Sequence, residues 1–121
     1  MPLDFECYAE LVGTDTAVVT VQGELDVFTA ERLGDVLKEV GSWRVGRRLV
    51  IDLTACGFMD STGLAVLVAA KHRQDDAPLH VAAHVGALRV LTISDLDKVL
   101  QVYRSREEAL AALGEMDQPT A

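Results

Sequence analysis

Leu49-Val50-Ile51-Asp52-Leu53 most constrains the fold. The run is short, β-branched and apolar on both alternations, so it reads as a strand covered on both faces. Leu64 to Ala70 is a second apolar run, rich in Ala and Leu and ending in Lys71-His72-Arg73. That composition predicts a buried helix. Gly57-Phe58-Met59-Asp60-Ser61-Thr62-Gly63 lies between them. Its small polar residues open the helix and set hydroxyls at the positive end of the dipole. The functional position is expected at this helix start.

The flanking chain extends the pattern. Leu3, Phe5, Cys7, Ala9 and Leu11 alternate with polar residues, which predicts a strand over 3–11 with one wet face. Gly13-Thr14-Asp15 makes a turn, and Val18 to Gln22 forms the second strand of a hairpin. Gly23-Glu24-Leu25-Asp26 breaks that strand. Ala30, Leu33, Val36, Leu37 and Val40 then recur at helical spacing, with Asp26 or Thr29 as cap and Gly41-Ser42 as stop. Trp43 is expected to cover the core edge.

Arg47 to Leu53 is the third and central strand. Asp75-Asp76-Ala77-Pro78 is read as a turn, and Leu79 to Ala83 as a fourth strand. Val85, Leu88, Leu91 and Leu96 suggest a short helix ending near Ser94-Asp95, and Val99 to Tyr103 is a fifth strand. Ser105 to Glu108 has capping-box spacing and opens a last helix, with Ala109, Leu110 and Leu113 inward and Gly114 as its stop. One domain is expected over 1–116, with a flexible tail at 117–121 and no internal repeat. The order β-β-α-β-α-β-α-β-α predicts an α/β domain. Its five-stranded, mostly parallel sheet has an antiparallel edge strand and about four helices. Ligands and partners of such sheets meet the loops at the carboxyl ends of the strands. If the second and third strands are neighbours, Asp26 and Asp60 come close to Ser61.

Composition excludes several function classes. The net charge of −8 argues against nucleic acid and against anionic lipid, and it allows a basic protein partner. With no apolar run of membrane-spanning length and an acidic start, the chain reads as a soluble, cytoplasmic protein. Cys7 and Cys56 lie within apolar patterns and read as small buried hydrophobes. No enzyme is expected. A Gly-x-Ser-x-Gly elbow is absent around Ser61, and none of His72, His80 and His84 is forced toward it. His80 and His84 would stand about 13 Å apart along a strand, and no zinc or phosphate-loop motif occurs. No metal or cofactor is expected. Two readings of Ser61 remain open: a plain helix cap at Asp60 or Ser61, or a hydroxyl that is itself a substrate. The first leaves Thr62 and Gly63 unused and an exposed Phe58-Met59 shoulder unexplained; these fit a contact surface, although Phe58 and Met59 are more often core residues.

At these residues the chain resembles a known family. Phe58 to Leu64, together with Gly23-Glu24-Leu25-Asp26, is similar to the anti-sigma factor antagonists of bacteria, which carry the STAS domain. The resemblance runs from about residue 5 to residue 114. It implies that the unphosphorylated chain binds an anti-sigma factor that is also an ATP-dependent serine kinase, so that a sigma factor is released. It implies phosphorylation on the serine after the motif aspartate, here Ser61, with Thr62 second choice because many members carry a second serine there. A serine phosphatase would restore the unmodified form. Carried over residue by residue, the partner-binding positions are Gly23, Glu24, Asp26, Met59, Asp60, Ser61, Thr62, Gly63 and Leu64. The rival readings are a STAS scaffold or sensor without a switching serine, and a small-ligand-binding domain.

Overall fold

A computed structural model describes residues 5–43, 48–74 and 77–117, with side chains to residue 114. The elements are β1 (Glu6–Val12), β2 (Thr16–Leu25), α1 (Ala30–Gly41), β3 (Arg48–Met59), α2 (Ser61–Arg73), β4 (His80–Ala83), α3 (Val85–Ile93), β5 (Gln101–Tyr103) and α4 (Arg106–Asp117). A single 3-10 turn, Leu96–Lys98, links α3 to β5. The sheet order is β1-β2-β3-β4-β5. β1 pairs antiparallel with β2, and every other pair is parallel. The expected α/β architecture, with one antiparallel edge and four helices, is therefore the observed one.

Sequential order follows from the connections. Each crossover places its helix on the same face when all turn the same way. Leu33, Leu37 and Val40 of α1, Leu67 and Ala70 of α2, and Ala87 and Leu91 of α3 share one core with Val19, Val21, Ile51, Leu53 and Val81. The alternate residues Val18 and Val50 meet Ala109 and Leu113 of α4 on the opposite face. Covering both faces explains why β3 carries no polar alternation across Leu49–Leu53. Each fully buried Val, Leu or Ile contributes about 1.5–3 kcal/mol. Trp43 packs half-buried against the larger core. Cys7 and Cys56 are free and buried. Burial pushes the Cys7 thiol up to about 11, against the pull of Arg32, and raises the Cys56 thiol as well.

Several expected boundaries are corrected. Leu11 is 50 % exposed rather than inward. Gly23-Glu24-Leu25 does not break β2. Gly23 takes φ +101°, with register shifts on both sides, and the strand continues to Leu25. β3 likewise runs through Gly57 and Phe58 to Met59. Gly114 does not stop α4, which continues to Asp117. Ser105 Oγ accepts from Glu108 N at 3.0 Å, but it is the Arg104 amide, not that of Ser105, that donates back to Glu108 Oε1. Leu3, Arg47, Asp75, Asp76 and residues 118–121, to which expectations were attached, lie outside the described residues.

Candidate functional site

β2 and β3 end side by side. Glu24 stands opposite Phe58 and Leu25 opposite Met59. One residue later the Asp60 amide donates to Leu25 O at 3.0 Å. This bond ties the residue before Asp26 to the residue before Ser61, so the two motif segments meet at one end of the sheet.

Asp60 is the N-cap of α2. Its Oδ1 accepts from Thr62 N at 2.9 Å, from Gly63 N at 3.3 Å and from the Thr62 hydroxyl. The Thr62 hydroxyl is the chief cause of the carboxyl lying below its ordinary 3.8, helped by the Gly63 and Thr62 amides and opposed by desolvation. The Asp60 cap thus uses both residues that follow Ser61, which sequence reasoning had left unused. Ser61 differs from its neighbours. It is exposed, and its Oγ has no hydrogen-bond partner among the described residues.

Packing fixes the helix start beneath that hydroxyl. Gly63 is buried, and a Cβ there would stand 2.7 Å from Met59 Cγ and 3.1 Å from Leu25 Cβ. Only glycine lets α2 press this closely on the strand ends. Met59 is 2 % exposed, so the expected Phe58-Met59 shoulder is corrected: Phe58 faces solvent at 48 % and Met59 belongs to the core. Met59 and Gly63 accordingly support the surface from below. Glu24 and Ser61 are exposed, while Gly23, Asp26, Asp60, Thr62 and Leu64 are half-buried. Leu64 packs on the core.

The Asp26 segment is locked on itself. Asp26 Oδ1 accepts from Phe28 N at 2.9 Å and Thr29 N at 3.0 Å. The buried Thr29 hydroxyl donates to Glu24 O at 2.6 Å and accepts from Asp26 N at 2.9 Å. Thr29 is the N-cap of α1 by position, but its side chain makes no cap bond to the helix. The expected side-chain cap is thus corrected: Asp26 and Thr29 brace the turn before α1 instead. The three histidines stand apart from Ser61 in the elements: His72 in the last turn of α2, His80 buried in β4, and His84 exposed before α3. His80 stacks on Tyr103, with ring centroids 5.8 Å apart.

This end of the sheet holds features that motif reading missed. Val27, Phe28 and Val85 are 62 %, 80 % and 81 % exposed. The available signal was that Val27-Phe28 falls before the helical spacing of Ala30, Leu33 and Leu37 begins. Gly86 is the other. A Cβ there would lie 2.3 Å from the Gly57 carbonyl oxygen, so α3 rests directly on the backbone of β3.

The STAS domain model matches residues 8–109, which takes in both strand ends and the α2 start. The chain belongs to the STAS domain family. Its STAS sequence is 34 % identical over 93 residues to an anti-sigma-B factor antagonist of Listeria monocytogenes, covering 74 % of this chain and 80 % of the relative. It is 29 % identical over 99 residues to an anti-sigma-F factor antagonist of Mycobacterium tuberculosis, covering 80 % of each. Among solved STAS structures, an anti-sigma factor antagonist from Mycobacterium paratuberculosis superposes with a TM-score of 0.82 at 30 % identity, covering 90 % of this chain and 93 % of that one. Among the described residues, no helix of this STAS domain is long and apolar enough to cross a membrane.

Proposed function

We propose that the chain is an anti-sigma factor antagonist switched by phosphorylation of Ser61. In its unmodified form it binds an anti-sigma factor that is also a serine kinase, and the sigma factor is released. The kinase brings ATP. Ser61 Oγ attacks the γ-phosphorus, the bond to ADP breaks, and the hydroxyl proton leaves. A serine phosphatase reverses the modification by hydrolysis.

One observation carries this reading: at the tied strand ends, Ser61 presents an exposed hydroxyl with no hydrogen-bond partner among the described residues. Thr62, the second choice, has its hydroxyl committed to Asp60. Modifying Thr62 would cost the cap a bond, whereas modifying Ser61 costs none. The amides that follow Ser61 are already engaged. Thr62 N and Gly63 N already serve Asp60, and Leu64 N donates to Asp60 O at 3.1 Å. The added charge of about −1.5 to −2 therefore stands outward beside a carboxylate. Buried at an interface without compensation, such a charge costs about 3–5 kcal/mol. That is roughly two to three and a half decades in affinity.

The test compares the affinity of the kinase partner for the unmodified chain, Ser61→Ala and the Ser61-phosphorylated chain. The first two should bind alike, and the third at least about a hundredfold more weakly. Equal affinity for all three would reject the switch.

A further inference from the structure

We propose that Phe28 is an anchor by which the chain binds its anti-sigma partner, entering an apolar pocket rimmed with basic side chains. This rests on the reading that the partner docks over Ser61.

Phe28 is 80 % exposed, yet its backbone is among the most tightly held near the site. Its own amide and the next are bonded to Asp26 Oδ1, and the buried Thr29 hydroxyl closes the loop onto Glu24 O. A large apolar side chain on a floppy loop would bind at a high ordering cost. Held this way, it is already placed. Nothing in the fold requires the exposure: α1 begins at Ala30, and its core face starts with Ala30 and Leu33. Interface energy concentrates in a few aromatic anchors that fill pockets on the partner.

The surroundings define the partner's chemistry. Glu24, Asp26 and Glu31, against the one base Arg32, flank Phe28 along the chain, and Asp60 joins them through its bond to Leu25 O. The whole chain carries a net charge of −8. A pocket for Phe28 must therefore offer apolar walls and a basic rim, because an acidic rim would meet like charge. Continuity with the Ser61 surface assigns that pocket to the same partner. Phosphate at Ser61 and truncation at Phe28 would then weaken one complex by two separate routes.

The experiment uses purified full-length chain and the anti-sigma factor from the same genome that transfers phosphate from ATP to Ser61. Affinity is measured by calorimetry for wild type, Phe28→Ser and Phe28→Leu at two salt concentrations, with thermal melts and sedimentation of each chain alone. Phe28→Ser should melt with wild type and bind about ten- to hundredfold more weakly, while Phe28→Leu recovers most of the affinity. Wild-type binding should weaken as salt rises. Unchanged affinity of Phe28→Ser, with Ser61 still phosphorylated, would overturn the anchor and leave the switch standing. Failure of every anti-sigma factor of that genome to phosphorylate Ser61 would instead remove the reading beneath it, and the anchor with it. A wild-type dimer that Phe28→Ser converts to monomer, with partner affinity unchanged, would assign the side chain to a second copy and overturn the proposal.

Discussion

Gly86 and Gly34 offer the same chemical change in opposite settings. At Gly34, within α1, a Cβ would meet nothing within 4 Å. Gly34→Ala should therefore show little but the helix preference for alanine, a gain of about 0.5–1 kcal/mol. At Gly86 the Cβ would lie 2.3 Å from Gly57 O, 2.9 Å from Gly57 C and 3.4 Å from Gly57 Cα. These are backbone atoms of a strand paired with β2, so no side chain can swing aside. Either α3 lifts or β3 bends. Overpacking of this kind costs typically about 1–3 kcal/mol, and a rigid backbone contact belongs at the upper end. Subtracting at most about 1 kcal/mol of helix gain leaves a net loss of about 2 kcal/mol. A chain of this size shifts in Tm by roughly 3–5 °C per kcal/mol. Gly86→Ala should thus melt about 6–10 °C lower, and Gly34→Ala about 2–4 °C higher. Urea titration of both variants checks the values, with an unchanged m confirming that the unfolding reaction is the same one. Two shifts of the same sign would refute the claim that α3 rests on the β3 backbone.

Two further outcomes follow from buried polar groups. Thr29→Val keeps the shape of a 5 %-exposed side chain but strips Glu24 O and Asp26 N of their partner. A loss of about 1–3 kcal/mol is expected in urea titration, and a change below about 0.5 kcal/mol would mean that the loop is held by other bonds. His80 has its pKa lowered from 6.5, first by burial and then by Arg48, so the unfolded chain binds the proton more readily. Stability is full above 6.5 and falls as pH drops from there through the lower folded value. An NMR titration placing the His80 midpoint above 6.5 would contradict the packing of its ring against Tyr103.

The elements were legible because each carries its own period, but their ends were not. Gly23 and Gly57 read as turn signals. Yet β2 and β3 keep pairing past them, since Gly23 adopts a positive φ and the register shifts absorb the irregularity. Simple alternation therefore fails at Met59, which the shifted register turns into the core against Gly63. Gly114 failed as a stop for a related reason. Space is open around it, and a lone glycine costs a helix only about 1 kcal/mol. At the strand ends, the Asp60 cap and the meeting of the Asp26 and Ser61 segments were legible from residue type and element order, because capping is local and parallel neighbours end together. Phe28 and Gly86 were not found from sequence. Their meaning depends on what stands opposite them, and an exposed phenylalanine looks the same in sequence as a buried one.

The site's rigidity bears on how a switch here could work. Asp60 N is bonded to Leu25 O, Gly63 is wedged against Met59 and Leu25, and Gly57 carries α3. A phosphate on Ser61 would need to break several of these contacts together to change the fold. It has little to gain by doing so, because the nearest amides already serve Asp60. On the proposed reading, the two forms would be stiff surfaces that differ by a charge rather than by shape. Discrimination between them then belongs to the partner, through what it loses by burying an anion beside Asp60. The consequence is measurable. Phosphorylation should move the Tm of the chain alone by only a few degrees, since charge at a helix start is worth about 0.3–1 kcal/mol, while partner affinity falls by two decades or more. A modified chain whose α2 melts or whose amide exchange rises across β3 would show that the signal travels through shape after all.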